Sequence, residues 1–324
     1  MPRNIAFAAT WILFFIYLPL ELKSQAIPAD EENVPYLVTF GKQAAKNYGD
    51  NDNQQVFFIN IPMNYEKPFF VRVFDPDTGG SFDEQIGGFD TQTNFAVYGG
   101  RGTYTNRENF RPPVQSGTLL SSRNFTNNAA NDGKWFSFGP FNPLQGELVN
   151  DLEGYIFKVV CTGLNGDDGN LYRYFISTEP AINRSVEGAN AFTYQYTFRL
   201  PETPGEVIHI YPYVSKDVVS IKQYNYDFDN DGLIHIVSVS KNGEKMAASG
   251  NGEWESSTHI ISKEEQNTSL DIRFIKSRNS INNNNNMVFY ITNQYGAQLP
   301  FYTIPIGGVP RYKYKISVKR INRN

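Results

Sequence analysis

One cysteine, three histidines and three tryptophans are spread over 324 residues, and each shortage closes off a class of protein. Cys161 alone makes no internal disulfide framework. In Tyr155-Ile156-Phe157-Lys158-Val159-Val160-Cys161 it reads as a buried apolar thiol rather than a nucleophile. His209, His235 and His259 each sit in a strand-like run, and both His-Glu-x-x-His and Gly-x-Ser-x-Gly are absent, so neither zinc nor serine hydrolysis shows its signature. The glycine pairs Gly79-Gly80, Gly87-Gly88 and Gly99-Gly100 do not open a helix, as phosphate binding requires. Paired carboxylates are what remains of catalytic chemistry, which leaves a carboxylate-based glycan hydrolase as the enzymatic reading. Net charge is small, −4 from 29 basic and 33 acidic residues, and does not suit a nucleic-acid partner.

Long apolar runs are missing too, with one exception. Met1-Pro2-Arg3, the run from Ile5 to Leu20 and then Ser24-Gln25-Ala26 supply a basic start, a short apolar core and small residues before a cut, the three parts of a secretory signal. Cleavage after Ala26 is expected, leaving 324 − 26 = 298 residues in the periplasm, outside the cell or on its surface. A retained anchor fits less well, because Pro19 interrupts a run shorter than the roughly 20 residues of a membrane span.

What the chain has in quantity is aromatics, 25 Phe and 20 Tyr, along with glycine and proline. Short strands joined by turns follow from that composition. The expected fold is all-β, two tandem antiparallel β-sandwich domains of jelly-roll type over 35–200 and 206–320. The boundary is Leu200-Pro201-Glu202-Thr203-Pro204-Gly205-Glu206. Leu37 to Lys46 forms either a helical turn or a strand, and 101–134 is a long excursion from the first sandwich. Phe192, Tyr194, Tyr196 and Phe198 alternate along one strand face. A final strand over 311–320 carries alternating basic residues, which suits a protected sheet edge or a docking face for an acidic surface. Trp135 and its aromatic neighbours read as core, with a sugar platform as the sharper alternative.

Three acid-rich turns follow strands of the same character. In Asp227-x-Asp229-x-Asp231-Gly232, alternate side chains present carboxylates to one point and the glycine lets the backbone curl around an ion. Position 12 of an EF-hand loop would fall on Ser238, so a calcium loop within a β-fold is expected. The relatives are Asp75-Pro76-Asp77-Thr78-Gly79-Gly80, with Asp83 and Glu84 behind, and Asn165-Gly166-Asp167-Asp168-Gly169-Asn170, expected at the tip of a hairpin. Asp75, Asp77, Asp167, Asp168, Asp227, Asp229 and Asp231 are therefore the candidate calcium ligands, against the plain alternative that Asp, Asn and Gly make good turns.

These turns, taken as Phe74 to Gly80, Gly166 to Tyr172 and Tyr226 to Gly232, resemble those of secreted bacterial β-sandwiches. Among these are the jelly-roll modules called pre-peptidase C-terminal or P-like domains, and exported proteins of type IX-secreting bacteria. The resemblance implies a non-catalytic, calcium-supported accessory module. The chain departs from that pattern in carrying no recognisable catalytic domain, and its basic end does not look like a type IX sorting domain. The leading functional expectation is a secreted scaffold that binds a protein or glycan partner. The alternatives are a periplasmic plug or adaptor of an outer-membrane secretion or motility assembly, and the glycan hydrolase.

Overall fold

The computed structural model describes residues 25–105, 116–280 and 285–314. Most of the expected signal, part of the 101–134 excursion, most of the Asn282 to Asn286 run and the 315–320 end of the last expected strand lie outside these residues.

The chain is all-β, and every strand pair among the described residues is antiparallel. An eight-stranded sheet runs in the order Trp254–Ile260, Ser220–Tyr226, Asn286–Asn293, Gln195–Arg199, Leu37–Phe40, Gly169–Ser177, Phe69–Phe74, Trp135–Phe141. A second sheet has the order Phe301–Tyr302, Asn190–Thr193, Gln54–Pro62, Gly154–Asn165, Gln92–Gly99, Thr118–Phe125, with Glu147–Val149 also pairing to Gly154–Asn165. A third takes Val207–Ile210, Asp271–Lys276, Gly232–Val237 and Asn242–Met246 in that order, and Tyr213–Val214 pairs with Thr268–Ser269.

The first sheet is shared. At one end its Tyr172 and Tyr174 meet Phe95 and Phe57 of the second sheet, with ring centroids 4.9 and 4.2 Å apart. At the other, Phe198 and Phe289 meet Phe274 of the third sheet at 5.2 and 4.9 Å. One apolar cluster runs through both contacts. The Pro201 to Gly205 stretch is therefore a crossing between layers of a joined structure, and Leu200 N–H still bonds Asn285 C=O at 2.8 Å across it.

One local alternative is decided and four local expectations change. Leu37–Phe40 is a strand, followed by a short 3-10 turn at Lys46–Tyr48. The 101–134 excursion contains the strand Thr118–Phe125, which pairs with Gln92–Gly99 at a sheet edge. Tyr155-to-Cys161 and Leu171-to-Ser177 are not a hairpin, since their strands lie in different sheets and the Gly166 to Asp168 turn is an arch between layers. The Phe192 to Phe198 alternation is broken at Tyr194, where the chain switches sheets, so Phe192 and Tyr194 pack in a small cluster and Tyr196 and Phe198 in the main core. Of the basic segment, 311–314 is described and holds no strand.

Candidate metal centre

All three acidic turns form, and their carboxylates meet three different fates. Asp75, Asp227, Asp229 and Asn230 take φ of 55°, 59°, 58° and 51°, the left-handed region that Asp and Asn tolerate best.

In the third turn a cation is already built in. The Lys276 ammonium donates to Asp231 Oδ2, both side chains being almost wholly buried, and Asn285 Nδ2 donates to the same oxygen at 3.3 Å. Asp227 Oδ1 accepts from Gly252 N–H at 2.5 Å. Burial, against that hydrogen bond, pushes the Asp227 carboxyl up to about 6. Asp229 is raised by burial and by Asp231, and lowered by Lys276. Lys276 thus neutralises Asp231, one of the three carboxylates that the spacing assigns to calcium.

The second turn uses its acid as a peg. Asp168, fully buried, accepts from Ile86 N–H at 2.8 Å, Asp90 N–H at 3.0 Å and Thr91 N–H at 3.2 Å, which pins the 86–91 loop. Asp90, Asp167 and Asp168 offer ligand atoms within 4.8 Å of one another, a triad able to hold a metal ion. Asp90 is exposed and Asp167 half-buried.

The first turn has neither remedy. Asp75 and Asp77 are 0% and 1% exposed, and each spends one oxygen on a backbone amide: Asp75 Oδ1 on Gly133 N–H at 2.8 Å, Asp77 Oδ2 on Asn128 N–H at 2.7 Å. Asp75 Oδ2 and Asp77 Oδ1 are buried without a partner, and so are Asp132 Oδ1 and Asn170 Oδ1. Asn170 belongs to the same place, because its Nδ2 donates to Pro76 C=O, between the two aspartates, at 2.9 Å. Asp132 lies against the turn's glycine: a Cβ on Gly80, whose φ is 71°, would stand 1.9 Å from Asp132 Oδ1.

Asp83 closes the back of the group, accepting from Gly79 N–H and Leu171 N–H at 2.7 Å each. Burial, with Asp132 and Asp77 adding to it, pushes Asp75 up to about 7, and burial pushes Asp83 up to about 9. Among the described residues no lysine or arginine makes an ion pair with any of these four acids. Arg173 acts on Asp75 only weakly, its guanidinium lying 4.5 Å from the Phe74 ring centre.

Buried polar atoms are nearly always hydrogen-bonded, so four orphan oxygens from one turn and its neighbours are a conspicuous deficit. All are hard oxygen donors, three carboxylate and one amide, the set that suits calcium. Among the described residues the first-turn carboxylates do not form a group of three with ligand atoms all within 4.8 Å of one another, as the Asp90 triad does. Asp132 and Asn170 were missed from sequence. The signal available was the Asn-Asp-rich 127–132 stretch, which belongs to the strand-flanking loop facing the turn.

One further constellation mimics catalytic connectivity. Ser257 Oγ lies 2.8 Å from His259 Nε2, and His259 Nδ1 lies 2.5 Å from Glu244 Oε1. Ser257 and His259 are two apart on one strand and so share a face. With Glu244 accepting from Nδ1–H, the hydroxyl donates to Nε2, while Ala247 N–H at 3.0 Å and Gln223 Nε2 at 3.1 Å donate to Oγ. Both lone pairs are then engaged, and the oxygen has none to present to a substrate. At another histidine, His209 Nδ1 and Arg273 Nε both bond the buried Asp271, each at 2.8 Å.

No family model matches the chain, and no curated protein does. Among solved structures it is similar to dimeric latent PorU from Porphyromonas gingivalis, at 13% identity and a TM-score of 0.20, covering 89% of this chain and 23% of PorU. It is also similar to structures of infectious bursal disease virus. The Gx strain gives 9% identity and a TM-score of 0.16 over 86% of this chain and 78% of that one, and the Gt strain 10% and 0.16 over 86% and 76%. Among the described residues, no helix is long and apolar enough to cross a membrane.

Proposed function

We propose that the chain is an exported, non-catalytic binding or scaffold protein whose first acidic turn is closed by calcium. The observation that carries this reading is the group of unpartnered buried oxygens, Asp75 Oδ2, Asp77 Oδ1, Asp132 Oδ1 and Asn170 Oδ1. Asp75, Asp77, Asp132 and Asn170 would hold the ion, and Asp83 would orient the turn through its two amide contacts. The ion's contribution is charge: it neutralises carboxylates that burial otherwise keeps protonated.

Its role is structural. The turn joins three separate stretches, the end of strand Phe69–Phe74, the 127–133 loop and the start of strand Gly169–Ser177, so one ion would tie two strands of the shared sheet to a loop. The basic start, apolar core and small residues at 24 and 26 support export, and with it an envelope partner.

Extracellular modules hold calcium at about 10⁻⁴ to 10⁻³ M, so millimolar calcium adds about 1–2 kcal/mol. In a chain of this size that is a rise of about 2–5 °C in melting temperature. The test is a thermal melt in EDTA and in calcium. Asp77→Asn is expected to abolish the calcium increment and Asp227→Asn to keep it; a melt indifferent to EDTA, or the reverse order of the two variants, refutes the assignment.

A further inference from the structure

The strand Leu37–Phe40 is too short to fill its place in the shared sheet. Its pairing with Gly169–Ser177 begins at Leu37 opposite Tyr172, so before Leu37 a gap opens between Gly169–Ser177 and Gln195–Arg199. The 27–36 segment spans this gap as a strap. Ile27 C=O accepts from Ile176 N–H, Glu32 C=O from His209 N–H and Tyr36 C=O from Arg199 N–H, each at 3.0 Å. Under the strap lies a well of about 480 Å³, within the about 300–1,000 Å³ of small-molecule sites.

From the strap itself Glu32, 3% exposed, lines the well, with Tyr196 O–H donating to Oε1. Among the described residues Tyr196 is the one hydrogen-bond partner of that carboxyl. Burial pushes Glu32 up to about 8, so at neutral pH this wall carries an uncharged acid able to donate and accept. The rim carries the half-buried Trp135 and the exposed Arg173, Asn33 and Asn183. Asp30 also lines the opening, opposite in sign to Arg173, so the mouth has no net charge to draw an ion. Aromatic walls below and two-way hydrogen-bonding groups around them match a ligand whose apolar C–H faces alternate with hydroxyls.

We infer that this well binds a neutral sugar ring, a monosaccharide or the terminal unit of a glycan, with Trp135 against the ring face and Glu32 and Asn183 on its hydroxyls. The inference names a partner class for the binding role proposed above and rests on that role, but not on the ion.

The test is titration calorimetry of the full chain, in calcium, with glucose, galactose, mannose, N-acetylglucosamine and their common disaccharides. At least one is expected to bind with Kd of about 1 mM or tighter. Trp135→Ala should weaken it about three- to tenfold. Glu32→Gln, which keeps a donor and an acceptor, should stay within about threefold, while Glu32→Leu should lose about tenfold or more. Should Glu32→Leu not fold, Trp135→Ala at the rim carries the test. The inference is overturned if no neutral sugar binds, if only anionic sugars bind, or if binding is indifferent to Trp135→Ala. A calcium-insensitive melt with sugar binding intact would sink the ion alone, and a calcium-sensitive melt without sugar binding would sink the well alone.

Discussion

Replacing Glu32 by Gln isolates the cost of one buried acid. The Glu32 carboxyl is raised from 4.5 to about 8, with burial as the larger cause and the Tyr196 hydrogen bond opposing it. The folded chain therefore holds this proton more tightly than the unfolded chain does. Stability tied to it is complete below about pH 4.5 and drains away as pH rises through about 8. At about 1.4 kcal/mol per pKa unit, a shift from 4.5 to about 8 amounts to about 3–5 kcal/mol lost across that window. Glutamine keeps an acceptor for Tyr196 O–H and cannot ionise, so Glu32→Gln should be equal to or slightly less stable than the natural chain at pH 4.5 and more stable by about 3–5 kcal/mol at pH 8.5. Urea unfolding followed by tryptophan fluorescence at both pH values reads this as a difference in midpoint that changes with pH. Parallel pH profiles for the two proteins would refute the reasoning, and with it the picture of a buried, uncharged acid lining the well.

Two other perturbations probe the remaining polar clusters. Lys276→Met should cost about 3–5 kcal/mol by leaving Asp231 buried and unpaired, and adding Asp231→Asn should recover most of it in the same urea assay; a neutral single variant would reopen the third turn to a divalent ion. Ser257 should resist labelling by a fluorophosphonate probe, because Ala247 and Gln223 occupy its oxygen; labelling lost in His259→Ala would convert the constellation into a working triad.

The strand content was readable because aromatic and β-branched runs such as Phe57 to Ile61 and Val71 to Phe74 have no other stable use in this composition. Which sheet each strand joins was not readable. The arch at Gly166 to Asp168 has the residues of a hairpin turn, and only long-range pairing of its two strands in different sheets separates the cases. The same limit governs the acidic turns. Asp227, Asp229 and Asp231 have the best spacing in the sequence, yet Lys276 reaches Asp231 from a strand 45 residues away. Asp75 and Asp77 have a looser pattern, but Asp132 is delivered to them by the 127–133 loop and Asn170 by another strand, and neither brings a cation with it. Spacing reports how many acids a turn presents, while neutralisation depends on what the fold lays against it.

The shared sheet also determines how the molecule can be divided. A cut at Pro201 would strip the strand Gln195–Arg199 of its neighbour Asn286–Asn293, with which it pairs over five residues. The amino-terminal fragment would then end in a raw, hydrogen-bond-hungry border, ready to recruit another copy. The carboxyl-terminal fragment would carry the matching border.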